Sequence, residues 1–455
     1  MQVKERGQWG SRIGFILAAA GSAIGLGAIW KFPYMAGVNG GGAFLLVYLA
    51  AVLGIGVSMM LAELAMGRSV QRDAIEAFTT LGGKKAGFFG WFSLLAAFVL
   101  LSFYCVVGGW TVGYLLKALS GGLLDPADPV GFAKQFESFI GDDTFSLVFF
   151  ALFMTMTVGI ILGGVQKGIE RVSKVLMPLL FLLMLVMIVR SVSLPGAMEG
   201  VKFLLVPDFD KLHPRVFIDA LGFACFSLSL GFGAMLTYGS YMNKSESMAR
   251  SALWVVTLQT ICTLLAGFMI MPAVFAFGMP PTAGPGLTYI TLPAVFKAMP
   301  GGVFFAVAFF ALLLIAALTS SVSILEPIVS CLIDQWGLPR KAASLLAAGA
   351  SFMAGIPAAW SFGGGDVWRL FGMTPFDLMD YVTSNVMLPV NVLAACIIMG
   401  WVAPGVFRRE LFLRLEENAG RFQAKEPAWA LYIGFCCKFL APAVIIAILA
   451  ASLLQ

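Results

Sequence analysis

Long apolar runs separated by short polar segments make up most of the chain. A run of about 20 apolar residues is long enough to cross a bilayer as a helix, and the chain contains eleven such runs. The pattern therefore predicts an all-α polytopic membrane protein. The approximate limits of the spans are 12–37, 41–68, 88–120, 144–163, 167–192, 215–241, 249–277, 303–335, 339–360, 374–402 and 428–454.

Glycine and serine interrupt the first span near its middle. Residues 18–37 read AAAGSAIGLGAIWKFPYMAG, and AIGLGAIW at 23–30 is echoed five spans later by SLGFGAML at 229–236. One GxG motif would indicate only close helix packing. Two matching interruptions predict an inverted repeat of five plus five helices, with broken helices 1 and 6 around a site at mid-membrane.

The composition and the charges agree with a membrane protein. Of 455 residues, 60% are hydrophobic and 12% are charged, about half the charged share of a soluble domain. Basic residues concentrate on the side of the N-terminus, which is therefore expected to be cytoplasmic. An odd number of spans then puts the C-terminus outside the plasma (inner) membrane. All seven cysteines fall in hydrophobic segments, so no disulfide framework is expected.

The spans give a predicted division of the chain. The segments are a cytoplasmic N-terminus (1–11), a first five-helix repeat (12–200), a second, inverted repeat (201–405), a cytoplasmic loop (406–427) and the eleventh helix (428–455).

Four stretches resemble the neurotransmitter:sodium symporter family. GSAIGLGAIWKFPYMAGVNGGGAF is similar to its first-helix signature, and GRSVQ follows the second helix. FSLSLGFGAMLTYGSY and LTSSVSILEP resemble its sixth and eighth helices. The resemblance covers essentially the whole chain and is closest to bacterial members with eleven helices. It implies a symporter that imports amino acids by alternating access, with Na⁺ as the coupling ion.

The resemblance assigns a zwitterionic substrate to the two breaks. Freed N–H groups at a half-helix end suit a carboxylate, and freed carbonyls suit an ammonium. Amine transporters of the family carry Asp where this chain has Gly25, so the substrate is expected to bring its own carboxylate. A buried charge would cost several kcal/mol in the apolar pocket, which favours neutral, mainly hydrophobic amino acids. The implied substrate residues are Ala23, Gly25, Leu26, Gly27, Leu100, Tyr104, Phe226, Ser227, Ser229, Phe232, Ser323 and Ile324.

This sequence keeps the ligand residues of one of the family's two sodium sites but not all those of the other. The second site keeps five oxygens, although its hydroxyls could instead bond their own helix. The first site has asparagines where this chain has Ala28 and Gln259, so one well-formed site is expected and the other is weak, water-completed or empty. Second-site ligands are Gly21, Ile24, Ala316, Thr319 and Ser320, and the doubtful first site keeps Ala23, Ser227 and Gln259.

The anion position of the family also differs. Chloride-independent bacterial relatives carry an acidic residue where this chain has Thr263, and another chloride-ligand position is Phe223. Tyr48 and Ser227 alone make a poor anion site. Losing both the anion and one cation keeps the local charge balanced, so transport is expected to be chloride-independent.

Charges at membrane depth mark the expected gates. Lys31 and Asp380 match the outer pair of the family, with Lys replacing the usual Arg, which alone can form a bidentate fork. Glu63 is expected to cap freed backbone, with an interfacial carboxylate as the alternative, and Glu326 receives no role. The implied inner gate is Arg6 with Asp334, beside Trp9, Ser240 and Tyr241.

Other functional classes lack their motifs. The single histidine, His213, cannot form a metal site, and no Walker motif or nucleophile elbow occurs, so neither an ATP-driven pump nor an enzyme is indicated. Two alternatives remain: the same fold coupled to protons through Glu63 or Asp380, and a non-transporting amino-acid sensor. Expected partners are an amino acid and the lipid bilayer, without nucleic acid, for a monomer or weak dimer.

Overall fold

The apolar runs of the sequence form α-helices. The computed structural model describes residues 7–279, 286–363, 369–419 and 428–453, without the side chains of 413–419 and 452–453. Within these residues the extended pairings are isolated bridges only. The first nine helices are α1 (Arg12–Ala23), α2 (Gly27–Val38), α3 (Gly42–Val70), α4 (Ala74–Gly82), α5 (Lys84–Leu119), α6 (Pro129–Ile140), α7 (Asp143–Leu162), α8 (Val165–Val192) and α9 (Ala197–Leu205).

The second half of the chain has the same helical character. Short 3₁₀ turns occur at Gly122–Leu124 and Phe209–Lys211. The remaining helices are α10 (Pro214–Ser227), α11 (Ala234–Ser240), α12 (Met248–Ala276), α13 (Leu287–Ala298), α14 (Gly302–Trp336), α15 (Arg340–Ala359), α16 (Pro375–Val402), α17 (Pro404–Ala419) and α18 (Ala428–Ala451).

Membrane-length helices correspond to the predicted spans. Among the described residues, nine helices are long and apolar enough to cross a bilayer, and α1 with α2 forms a further crossing bent by 51°. The predicted sixth span is divided between α10 and α11, on either side of residues 228–233. The structure confirms the all-α membrane fold and is consistent with eleven spans and with breaks in the first and sixth.

The first break opens where α1 ends. Ile24 caps α1 by donating its N–H to the Ala20 carbonyl at 2.7 Å. The chain then resumes in a wide π-type turn at Gly27–Lys31 that leads into the rest of α2. Backbone groups between the two helices are thus released from regular helical bonding in the middle of a membrane crossing.

The second break depends on residues with positive φ. Gly231 and Gly233 have φ of 91° and 78°, and Ser229 has φ of 55° although it carries a side chain. A Cβ at Gly231 would lie 2.4 Å from the Leu388 carbonyl oxygen of α16, so only glycine fits there. The freed N–H of Gly231 donates to the Glu63 carboxylate at 2.7 Å, which confirms the expected capping role of Glu63.

Helix α3 packs closely against α11. A Cβ at Gly67 would lie 1.8 Å from the Leu236 carbonyl oxygen, and one at Gly239 would lie 2.5 Å from that of Leu64. Two glycines therefore let the backbones approach each other, as small residues do between membrane helices. Helix α3, the second break and α11 form one closely packed unit.

The segment after α16 was predicted only as a connecting loop, 406–427. Its described part is helical, because α17 buries Phe407 and Leu411 and packs beside α3. Residues 420–427 lie outside the described chain.

Asp73 begins α4, outside the membrane spans, and is only 1% exposed. Its carboxylate accepts the Ile75 and Glu76 N–H groups at 2.8 and 3.3 Å, and the Gln335 amide at 2.9 Å. Burial raises the pKa of the Asp73 carboxyl and the charge of Asp334 raises it further, although the hydrogen bonds oppose both effects. The net shift is upward.

Because the raised pKa disfavours ionisation in the folded state, the Asp73 contribution to stability should be full below the ordinary aspartate pKa of about 3.9 and should fall as pH rises from there through the raised pKa of the folded state. Asp73→Asn keeps an oxygen for the helix cap and does not ionise. The stability of this variant relative to the parent should therefore increase as pH rises. Asp73→Ala should be less stable than Asp73→Asn by about 1 kcal/mol at every pH, because the cap is lost. Thermal unfolding in detergent from about pH 4 to pH 7 checks both. If the parent instead becomes more stable relative to Asp73→Asn as pH rises, the raised pKa of Asp73 is contradicted.

Candidate functional site

The carbonyl of Ser22, near the end of α1, is where the two breaks and α14 meet. The Ser229 hydroxyl in the second break donates to it at 2.8 Å, and the Ser320 hydroxyl of α14 does so at the same distance. Ser320 also lies 3.2 Å from the Gly21 carbonyl. The predicted sodium and substrate residues of distant segments are therefore in direct contact.

Four of the residues assigned to the second sodium site, Gly21, Ala316, Thr319 and Ser320, lie close together. The Thr319 hydroxyl donates to the Ala316 carbonyl at 3.1 Å, and the Thr319 Cβ lies 3.2 Å from an ideal Cβ built on Gly21. Thr319 thus bonds its own helix, as the alternative interpretation expected. A hydroxyl keeps two lone pairs and can rotate, so Thr319 and Ser320 can turn oxygen toward a cation. Neutral oxygen donors of this kind suit a hard cation such as Na⁺.

The first break leaves no room for side chains. A Cβ at Gly25 would lie 2.5 Å from the Ser320 hydroxyl and 3.1 Å from that of Tyr104, and one at Gly27 would lie 2.5 Å from the Phe226 ring. The Leu26 N–H donates to the Tyr104 hydroxyl at 3.4 Å. Backbone N–H groups and the tyrosine hydroxyl are therefore the polar groups available for a carboxylate.

The predicted side-chain pocket is apolar. Leu100, Phe232 and Ile324 are at most 4% exposed. The Ser323 hydroxyl is bonded to Tyr238 at 2.8 Å and to the Thr319 carbonyl at 2.9 Å, so its polarity is used within the protein. No charged group is assigned to this pocket.

Two of the positions that the resemblance assigns to the substrate ammonium, Phe226 and Ser227, lie at the end of α10. The Phe226 carbonyl accepts the Ser229 N–H at 3.2 Å, and the Ser227 hydroxyl donates to the Ala224 carbonyl at 3.2 Å. Ala23, on the facing break, is 4% exposed. These carbonyl groups have free lone pairs that an ammonium can use.

At the positions expected to form the first sodium site, the side-chain amide of Gln259 already bonds other protein groups. The Gln259 amide oxygen accepts the Tyr48 hydroxyl at 3.1 Å, and its amide nitrogen donates to Thr263 at 2.9 Å. Ala28 is fully buried and offers no oxygen. The Phe223 ring packs on Tyr48 with centroids 5.2 Å apart. The positions expected to bind a cation and an anion thus form a neutral, internally bonded cluster.

The outer gate residues have separate partners in this conformation. The Lys31 ammonium lies 4.4 Å from the centroid of the Phe226 ring, and Asp380 accepts the Ser384 hydroxyl at 2.8 Å. No ion pair joins Lys31 and Asp380 among the side chains described. A lysine makes a single-point contact on a flexible stem, so the aromatic ring can hold it instead.

The inner gate residues attach the start of the chain to α11. The Trp9 indole donates to the Tyr238 carbonyl at 3.0 Å, and its backbone N–H donates to the Tyr241 carbonyl at 3.2 Å. Ser240 bonds the Thr237 carbonyl at 2.6 Å. Asp334 accepts the Asp73 N–H at 2.9 Å, and Arg6 lies outside the described residues.

Glu326 forms a buried ion pair with Arg340. Its carboxylate is fully buried and receives both arms of the Arg340 guanidinium and the Tyr241 hydroxyl, the latter at 2.8 Å. Sequence reasoning missed the role because Arg340 follows in the next helix, beyond the reach of local spacing rules. The only sequence signal was a carboxylate inside an apolar run.

Glu170 makes another set of contacts that the sequence did not reveal. It accepts the Gly10 N–H at 2.7 Å, the Ser11 hydroxyl at 2.8 Å and the Lys174 ammonium at 2.6 Å. A Cβ at Gly14 would collide with its carboxylate. Glu170 therefore holds the beginning of α1 on α8.

Comparison with known proteins identifies the family and the fold of the chain. The sequence profile of the sodium:neurotransmitter symporter family matches residues 6–124 and 138–455. The uncharacterised sodium-dependent transporter YhdH of Bacillus subtilis is 42% identical over 96% of each chain. A sodium-dependent transporter of Haemophilus influenzae is 38% identical over 99% of each chain. The crystal structure of MhsT in complex with L-phenylalanine matches with a TM-score of 0.89 and 40% identity, over 98% of this chain and 100% of that one.

Gly25→Ala should weaken sodium binding by roughly ten- to hundredfold, since displacing Ser320 from Gly21 and Ser22 costs about 1–3 kcal/mol. The rise of Tm with sodium concentration in detergent measures the affinity. Gly159→Ala is the matched control, because nothing lies within 4 Å of a Cβ there. An unchanged sodium response in Gly25→Ala would exclude this geometry.

Proposed function

Because the chain belongs to the sodium:neurotransmitter symporter family, we propose that it is a sodium-coupled symporter that imports neutral, mainly hydrophobic amino acids by alternating access. The observation that carries the proposal is the meeting of both helix breaks with α14 at the Ser22 carbonyl. Coupling requires that ion and substrate share neighbouring groups, and Ser320 and Gly25 lie in contact between the two predicted sites.

The substrate class follows from the polarity of the site. Tyr104 and the backbone at Leu26 offer donors for a carboxylate, whereas the space beside Gly25 excludes a protein carboxylate that could pair with a lone amine. A charged substrate side chain would meet Leu100, Phe232 and Ile324 without a partner, at a cost of several kcal/mol. The bound L-phenylalanine of MhsT is a ligand of the same class.

One sodium ion and no chloride is the proposed stoichiometry. The Gln259 amide oxygen is already an acceptor for Tyr48, and Ala28 supplies no ligand. A second cation would have to share that oxygen with the Tyr48 hydroxyl and find water in place of the side-chain oxygen that Ala28 lacks. The neutral cluster of Tyr48, Gln259 and Thr263 needs no anion to balance it.

We assign the protein to the plasma (inner) membrane with a cytoplasmic N-terminus and an external C-terminus. Basic residues concentrate on the N-terminal side, as the positive-inside rule requires of a cytoplasmic face. The side where α1 begins and α3 ends is then the cytoplasmic side. The proposed state is a monomer or weak dimer.

Proteoliposomes test the proposal directly. An inward sodium gradient should drive uptake of labelled L-phenylalanine and L-leucine, and unlabelled L-lysine or L-glutamate should compete poorly. Replacing sodium by potassium at fixed pH should abolish uptake. Full uptake without sodium would favour proton coupling, and binding without counterflow of labelled substrate would favour a sensor.

The dependence of uptake on sodium concentration should have a Hill coefficient near one, and replacing chloride by gluconate should leave the rate unchanged. The coefficient follows from the side-chain oxygen that Ala28 lacks, and the independence of chloride follows from the neutral cluster of Tyr48, Gln259 and Thr263. A Hill coefficient near two, or a rate that falls without chloride, would contradict the proposed stoichiometry.

Restoring the missing oxygens should change the stoichiometry. Ala28→Asn combined with Gln259→Asn is expected to raise the Hill coefficient toward two, because two amide oxygens then face the first site. Ala28→Leu combined with Gln259→Leu serves as the matched control, since it alters the same positions without adding an oxygen. A raised coefficient in the leucine variant as well would exclude the ligand explanation.

A further inference from the structure

Arg68, near the end of α3, forms a buried ion pair that the transport site does not use. Arg68 and Glu410 of α17 are each 1% exposed, with 2.7 Å between the Arg68 Nε and a Glu410 carboxylate oxygen. The two remaining nitrogens of Arg68 donate to the Glu246 carbonyl, at 2.9 Å, and to the Glu410 carbonyl. Through one guanidinium, α3 is therefore joined to two segments that are distant in sequence.

Each segment leads to a different part of the transporter. Glu63 of α3 accepts the Gly231 N–H in the second break. Helix α3 also packs on α11 at Gly67 and Gly239. Glu246 belongs to the short connection between α11 and α12. Helix α17 joins α16 to α18, and α16 carries Asp380 at its other end. Arg68 thus links the half-helix beside the substrate site to the last two spans.

The ion pair is better suited to fixing the relative orientation of the helices than to stabilising the fold. Replacing a buried ion pair by apolar residues is often neutral or stabilising, so the fold does not need charge here. A planar arginine fork fixes direction as well as distance, which an apolar contact does not. The contact is suited to transmit a displacement of α3 and α11 to α17.

We propose that Arg68 and Glu410 form a coupling latch through which α17, and with it α16 and α18, follows α3 and α11 when the site opens toward the cytoplasm. The inference rests on the proposed alternating-access function. Arg68 acts as a positioning residue and touches neither the assigned sodium positions nor the assigned substrate positions. Its loss should slow the conformational step and spare binding.

The test is the Arg68→Met/Glu410→Leu double variant of the full chain, with Lys211→Gln/Asp208→Asn as a control that removes an exposed pair. Sodium-dependent binding of labelled L-phenylalanine in detergent counts intact sites, and uptake into proteoliposomes is expressed per site. The double variant should keep its binding constant and its KM while turnover falls about tenfold, the usual size of a coupling effect. The control should match the parent in both measurements.

A purely structural role would change the number of intact sites and leave turnover per site at the parental value, which would overturn the proposal. Weakened binding in the double variant would overturn it too, because the pair would then shape the site itself. If the double variant does not fold, Arg68→Lys, which keeps the charge without the planar fork, is measured instead. Its binding should stay at the parental value while its turnover per site falls. A parent chain that binds but does not transport refutes the proposed function instead.

Discussion

Backbone groups released inside a membrane must find partners without bulk water, and this constraint organises the structure around the two breaks. Ser22 receives the hydroxyls of Ser229 and Ser320, and Gly231 donates to Glu63. Ser320 and Glu63 lie on α14 and α3, and Ser229 lies in the second break directly after α10, so the breaks hold α1, α3, α10 and α14 together. The groups left over, mainly at residues 23–27, form the candidate site.

Close packing follows from the same requirement. Glu63 can reach Gly231 only if α3 lies against the second break, and the glycines at 67 and 239 permit that approach. The cost of excluding side chains is offset by satisfied backbone groups and dispersion contacts. The inner ends of these helices are then joined by polar side chains, since apolar packing alone leaves their relative direction loosely defined.

Local patterns were sufficient for much of this. The apolar runs predicted the spans to within a few residues, the repeated GxG motif predicted both breaks, and a mid-span carboxylate predicted the capping by Glu63. Glu326 with Arg340, and Arg68 with Glu410, could not be predicted, because their partners lie on separate helices and no periodicity relates them. Lys31 shows a different limit: its sequence position indicates a gate, whereas its contact with Phe226 depends on conformation.

The cluster of Tyr48, Gln259 and Thr263 shows why residue changes at the first site belong together. Asparagine oxygens facing a cation require a nearby negative charge, since an isolated cation in a low-dielectric site is costly. If the amide ligands were lost while position 263 kept an acidic residue, that acid would have no cation to pair with. Gln259 instead donates to the Thr263 hydroxyl and accepts from Tyr48, so every partner is neutral. Under the proposed single-sodium stoichiometry, Ala28 is tolerated because no cation needs a side-chain oxygen at that position, and the electrostatic balance is kept with fewer charges.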